Sequence, residues 1–170
     1  MMEHRSSYSF LEMLALVILR FLIGWHILYE GIVKLISPQW SSAGFLKQSQ
    51  WILSGFADWV TSNNEILSVV DFLNSWGLTA IGLGLILGLF TRIASLAGAL
   101  LLFTYYLNSP PLIGLEYSLP ADGNNLIVNK TLIEAVALCV LALFPTGKIV
   151  GFDAFMTIRD HKKEGRTNHG

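Results

Sequence analysis

The stretch Phe10–Ile36, FLEMLALVILRFLIGWHILYEGIVKLI, constrains this chain most. It runs 27 residues without a proline, longer than the ~20 mostly apolar residues needed to cross a hydrocarbon core. Yet it carries Glu12, Arg20, His26, Glu30 and Lys34. At about 100° per residue these five side chains fall within roughly a third of the helix circumference. Gly24 and Gly31 lie just beyond Arg20, where two backbones can approach closely. The opposite face is Leu, Ile, Val and Phe. The pattern is that of a membrane helix with a polar face turned inward, and the rest of the chain must supply partners for that face.

Composition agrees. The 170 residues are 53% hydrophobic and only 14% charged, with a mean hydropathy of +0.55, which favours a polytopic membrane protein over a soluble domain. The net charge of −1 gives no basis for a nucleic-acid partner. The fold expected is all-α, a single membrane domain over 1–170 built as a four-helix bundle. Its spans are predicted at about 10–36, 67–90, 93–108 and 126–145, with outer loops 37–66 and 109–125, a tight turn at Thr91-Arg92 and a tail at 146–170. Arg5, Arg92, Lys148, Arg159, Lys162, Lys163 and Arg166 gather on the N-terminus, the short turn and the tail, whereas Lys47 is the only Lys or Arg in the two longer loops. The positive-inside rule then puts both termini in the cytoplasm and the chain in the cytoplasmic membrane. The N-terminal run is too long and too polar for a cleavable signal. Cys139, the one cysteine, reads as a buried thiol without a disulfide partner.

Along the chain, Ser6, Ser7 or Ser9 is available to cap the first helix, and Pro38 ends it. The loop after it holds Trp40, Phe45, Trp51, Phe56 and Trp59, so one or two short interfacial helices are expected there, as an aromatic anchor or a lid. Gly77, Gly82, Gly84 and Gly88 in the second span read as packing glycines. Tyr105 and Tyr106 close the third span before Pro110-Pro111. Lys130 and Glu134 open the fourth, one turn apart on one face. Asp153 is placed to cap a short helix in the tail.

With spans one and four meeting at the outer side, Glu30, Lys34, Lys130 and Glu134 lie at similar depths, His26 one turn deeper and Arg20 near mid-membrane. Charges at such depths are costly unless paired or hydrated, which marks them as functional candidates. The expected arrangement is an outward-opening cluster roofed by the aromatic loop. The plainer alternative is a set of cross-helix ion pairs that fix the bundle, with Lys34 and Lys130 snorkelling to the interface. For Arg20 the partners in view are a backbone carbonyl, Glu12 or a bound anion. One in-membrane histidine excludes a bis-histidine haem, one cysteine excludes a thiol relay, and no HExxH, CxxC, Walker or GxGxxG pattern occurs. The chain predicts no metal site, and redox chemistry would need a diffusible carrier or a partner subunit.

A series of motifs runs in order along the chain, starting with Leu19-Arg20, Gly24 and Glu30-Gly31-x-x-Lys34-Leu35, then Ser54-Gly55-Phe56-Ala57-Asp58-Trp59 and Trp76-Gly77-Leu78. It continues through Gly88-Leu89-Phe90-Thr91-Arg92, Tyr105-Tyr106-Leu107, Asn129-Lys130-x-Leu132-Ile133-Glu134 and Gly151-Phe152-Asp153. In these motifs, over about residues 10–158, the chain resembles the DoxX/DoxD group of small four-helix membrane proteins. Many members of the wider family carry an acid near the position of Leu78, which this chain does not. The Phe56–Trp59 segment is similar to the branch that includes the small subunit of thiosulfate:quinone oxidoreductase. What the resemblance implies is a quinone-linked oxidoreductase membrane subunit acting on thiosulfate or a related anionic sulfur compound, with quinone as a diffusible co-substrate and no covalent cofactor. In that reading Glu30, Glu134 and His26 are the catalytic proton-handling residues. Arg20, Lys34, Lys130, Trp59, Tyr105 and Tyr106 bind substrate. A non-enzymatic scaffold or accessory subunit and a small transporter remain the alternatives. The lipid bilayer, a partner subunit and a second copy of the chain are the partners these roles allow.

Overall fold

The computed structural model describes residues 9–112, 126–144, 146–148 and 150–154. Four longer helices are α1 (Phe10–Ile36), α4 (Asn64–Leu87), α5 (Thr91–Asn108) and α6 (Lys130–Leu143). Between α1 and α4 stand two short ones, α2 (Ala43–Leu46) and α3 (Ser54–Thr61), and a 3-10 turn follows at Thr146–Lys148. No strand occurs among the described residues, so the all-α expectation holds. α1 and α4 are long and apolar enough to cross a membrane. α6 has 14 residues, about 21 Å at 1.5 Å per residue, short of a ~30 Å hydrocarbon core.

The α1–α4 seam organises the bundle. Gly24 of α1 faces Leu85, Leu28 faces Gly82, and Gly31 faces Thr79, so the two helices run antiparallel. A Cβ on Gly82 would lie 2.5 Å from Leu28 N, and one on Gly31 2.6 Å from Thr79 N. Only hydrogen fits, and the axes close to a distance that larger residues forbid. α5 and α6 make a second close pair, with Gly98 of α5 against Leu138 of α6. The pairs join through α4–α5 and, more sparsely, α1–α6. Ile27, Leu78, Leu85, Leu102, Leu138 and Leu141 fill the space between them. Leu14, Ile18, Leu22, Leu100, Phe103 and Ile133 point outward and are exposed. A continuous apolar exterior is foreign to a soluble monomer and natural in lipid.

Several boundaries differ from the sequence expectation. α4 begins at Asn64, with the Asn63 side chain accepting from Glu65 N and Ile66 N. The tight turn is Gly88–Phe90, because Gly88 takes the left-handed conformation at φ 66° and ends α4. Thr91 and Arg92 are the first turn of α5. α6 starts at Lys130 rather than 126, since Leu126 turns at φ 66° and Asn129 caps the helix through Leu132 N. Cys139 is exposed on the outer face of α6, not buried. Ser6 and Ser7 and most of the second long loop and the tail lie outside the described residues, whereas Ser9 is the residue before α1 and its N–H donates to Glu12 Oε2 at 2.9 Å.

Candidate functional site

The buried face of α1 centres on Arg20, Gly24, Ile27 and Gly31. The His26, Glu30 and Lys34 stripe therefore sits at its edge, in the cleft where α1 and α6 diverge. There a cavity of about 180 Å³ is lined by His26, Glu30 and Lys34 of α1, Leu78 of α4, Tyr105 of α5, and Lys130 and Glu134 of α6, among others. All four longer helices contribute, and the cavity lies toward the end that carries residues 37–63, the loop end. Leu78 is 2% exposed, so α4 offers an apolar wall here.

Each charge has an identifiable neighbour. His26 Nδ1 lies 3.1 Å from Glu134 Oε1, an ion-pair distance, though off the line of an aligned hydrogen bond. Lys34 Nζ donates to Asn74 Oδ1 at 3.2 Å and lies 4.0 Å from Glu30 Oε2. It also stands over two rings, 5.1 Å from the centroid of Trp40 and 5.5 Å from that of Tyr105. This aromatic cage holds the ammonium within the fold, where snorkelling would have taken it to the interface. Asn74 then passes the contact on, its Nδ2 donating to the Tyr105 hydroxyl.

Tyr105 separates this polar cavity from a second one of about 200 Å³, lined by apolar groups of α2, α3, α4 and α5 with Asn74, Tyr105 and Asn108 among them. The short helix α2 roofs it and is fastened on three sides. The Asp71 carboxylate accepts from Ser42 N at 2.8 Å and from the Ser42 hydroxyl. Asn108 Nδ2 donates to Phe45 O at 2.9 Å. Phe45 meets the Tyr105 ring edge-on at 5.5 Å. One or two short loop helices are expected from the aromatic content; two are present, and three helix residues fix the first of them.

Three of the residues assigned to substrate binding lie elsewhere. Arg20 is 4% exposed at the opposite end, the turn end. Its Nη1 donates to the Thr146 hydroxyl at 3.1 Å and its Nη2 to Val150 O at 2.9 Å. Of the partners in view, the backbone carbonyl is the one it takes, while Glu12 is spent on Ser9 N. Tyr106 is buried and donates to Ile127 O at 2.8 Å, bracing α5 against the approach to α6. Trp59 is 57% exposed, with its ring 5.9 Å from Phe56. Asp153 does not act within its own segment alone. Its carboxylate accepts from Phe90 N at 2.7 Å, Thr91 N at 3.0 Å and the Thr91 hydroxyl at 2.9 Å, capping α5 from the far end of the chain. It also steadies Phe90, which holds a left-handed φ of 48° that non-glycine residues rarely adopt.

Asn74, Asp71 and Asn108 went unmarked in the sequence. Asp71 and Asn74 stand one helical turn apart on α4, a repeat that could have flagged them.

A family model described as DoxX matches residues 15–107, more than half of the chain. The match spans α1 to α5, including His26, Lys34, Asn74 and Tyr105, and stops before α6 with Lys130 and Glu134. No curated protein and no solved structure matches the sequence. The chain belongs to the DoxX family and is an integral membrane protein.

Proposed function

We propose that the chain is a quinone-linked oxidoreductase membrane subunit for an anionic sulfur compound of the thiosulfate type. The observation that carries this reading is the polar cavity, which gathers Lys34, Lys130, His26, Glu30 and Glu134 where a bilayer makes unshared charge costly. In this reading the whole chain is one membrane domain whose four longer helices all cross. The apolar Leu126-Ile127-Val128 ahead of α6 adds to its reach. The lysine and arginine distribution supports a loop end that faces outward and termini in the cytoplasm.

The chemistry assigned is the joining of two thiosulfate ions through a new sulfur–sulfur bond, releasing two electrons, which a quinone takes up with two protons. Lys130 and the caged Lys34 draw the anion into the cleft. The His26–Glu134 pair holds and passes protons, and the Tyr105 ring walls the cavity. Arg20 and Tyr106, each bonded to a distant part of the chain, serve the fold.

A scaffold role is favoured by one observation. Lys34 already has Asn74, Glu30 and two rings around it, as a purely structural cation would. The test is quinone absorbance on the purified protein in lipid, with and without thiosulfate. Thiosulfate-dependent reduction that falls more than tenfold in Lys34→Met, with the thermal melt retained, supports catalysis in this chain. No reduction by well-folded protein across several quinones overturns autonomous catalysis. Loss of folding in step with Lys34→Met supports the scaffold.

A further inference from the structure

The apolar cavity under α2 holds an unmet demand. Five of its lining residues carry polar side chains, and four of those are engaged. Ser42 bonds to Asp71, Thr104 to Leu100 O, Asn74 to Lys34 and Tyr105, and the Tyr105 hydroxyl to Asn74. The exception is Asn108. It is 2% exposed, and its Nδ2 is committed to Phe45 O, which fixes the orientation of the amide because a carbonyl can only accept. Its Oδ1 is then buried with no partner among the described residues. An unpaired buried acceptor costs about as much as a lost hydrogen bond, so the cavity favours an occupant that brings a donor.

The rest of the cavity says what kind. Its volume is about 200 Å³, and apolar cavities of about 150 Å³ accept a benzene-sized ring. Phe45, Leu46, Leu53, Val70 and Leu101 give it an apolar lining, which rejects an anion. The rim residues Phe56 and Leu73 are 51% and 62% exposed, on the surface that a bilayer would cover, so a hydrocarbon tail can run out sideways. A single ring with a hydroxyl on one side and an apolar tail on the other meets all of these conditions. The oxidised ring, which offers only carbonyl acceptors, leaves Asn108 unmet.

The geometry points to this cavity as the binding site for the reduced, hydroquinone form of a membrane quinone, with Asn108 Oδ1 accepting from a ring hydroxyl and Tyr105 dividing it from the polar cavity. The inference rests on the quinone-linked reading and adds to it the ring's place and the preferred redox form. The anion and the ring then occupy opposite sides of one tyrosine.

The test is direct binding of decylubiquinol, kept reduced under argon, and of decylubiquinone, to the full chain in lipid nanodiscs, read by quenching of tryptophan fluorescence. The wild-type chain is expected to bind the quinol more tightly than the quinone. Asn108→Leu removes the acceptor and also frees α2 from its bond to Phe45 O, so it should weaken both forms somewhat and the quinol about fivefold to tenfold more than the quinone, the usual worth of one hydrogen bond. Val70→Phe, which adds bulk to the cavity from a different lining residue, should weaken both forms at least tenfold, with a thermal melt confirming the fold of each variant. Quinol binding that is unchanged in both folded variants overturns the placement. If that binding is nevertheless lost in Lys34→Met, the quinone-linked reading stands and only the placement falls. If the wild-type chain binds neither form, both fall together.

Discussion

Gly77 and Gly82 lie on one helix, five residues apart, and invite the same substitution with opposite results. Replacing either by alanine adds one methyl group and removes the helix cost of glycine, about 1 kcal/mol in soluble hosts. At Gly77 a Cβ meets nothing within 4 Å, so only the gain remains. At Gly82 it would stand 2.5 Å from Leu28 N and 2.6 Å from Leu28 Cα. Ordinary carbon contacts lie at about 3.5–4.0 Å, so α1 must retreat by about 1 Å along the seam. Overpacking of this kind costs about 1–3 kcal/mol, with backbone as the obstacle and no flexible side-chain end to yield. The helix gain is common to both variants and cancels, so they should differ by about 1–3 kcal/mol, a Tm separation of roughly 2–12 °C for a chain of this size. Thermal melts in lipid nanodiscs, monitored by circular dichroism, read this directly. The retreat would also draw Lys34 away from Asn74, so Gly82→Ala should lose ligand binding while Gly77→Ala keeps it. Equal melting temperatures, or a less stable Gly77→Ala, would refute the close-approach reasoning.

Three other outcomes are expected. Asp153→Ala should uncap α5 and lower stability by about 0.5–2 kcal/mol, with faster hydrogen exchange at the Phe90 and Thr91 amides; unchanged exchange there would count against the cap. Arg20→Lys should destabilise by about 1–3 kcal/mol, because one ammonium replaces the planar fork that reaches both Thr146 and Val150, and a melt matching wild type would show the fork to be dispensable. Tyr106→Phe should cost about 0.5–1.5 kcal/mol through loss of its bond to Ile127 O without altering quinol affinity, and a tenfold change in affinity would move Tyr106 into the site.

What the sequence made legible follows from which quantities are local. α1 was readable to its end residues because a long apolar run with Ser9 before it and Pro38 after it leaves little freedom. The cavity residues were readable too. His26, Glu30 and Lys34 repeat every fourth residue on one helix, Lys130 and Glu134 on another, and antiparallel crossing brings their depths into register. Arg20 was readable as a residue needing company but not as to whose, since a serviceable hydroxyl and a backbone carbonyl look alike all along a sequence. Asn108 carries no mark in the sequence beyond its place just before Pro110-Pro111, and its orphaned oxygen exists only once α2 folds back to occupy its other half. Gly88 shares its residue type with the packing glycines of α4, and only the left-handed backbone separates its role from theirs.

The bonds from Arg20 to Thr146 and Val150 span 126 and 130 positions of the chain, and this bears on the order of assembly. Ribosomes extend a chain at ~5–20 residues per second, so roughly ten seconds pass between the emergence of this arginine and that of the groups it binds. Through that interval a half-built bundle carries an unquenched guanidinium in its first helix. The guanidinium therefore stays without these two acceptors until residues 146–150 have been made and have docked.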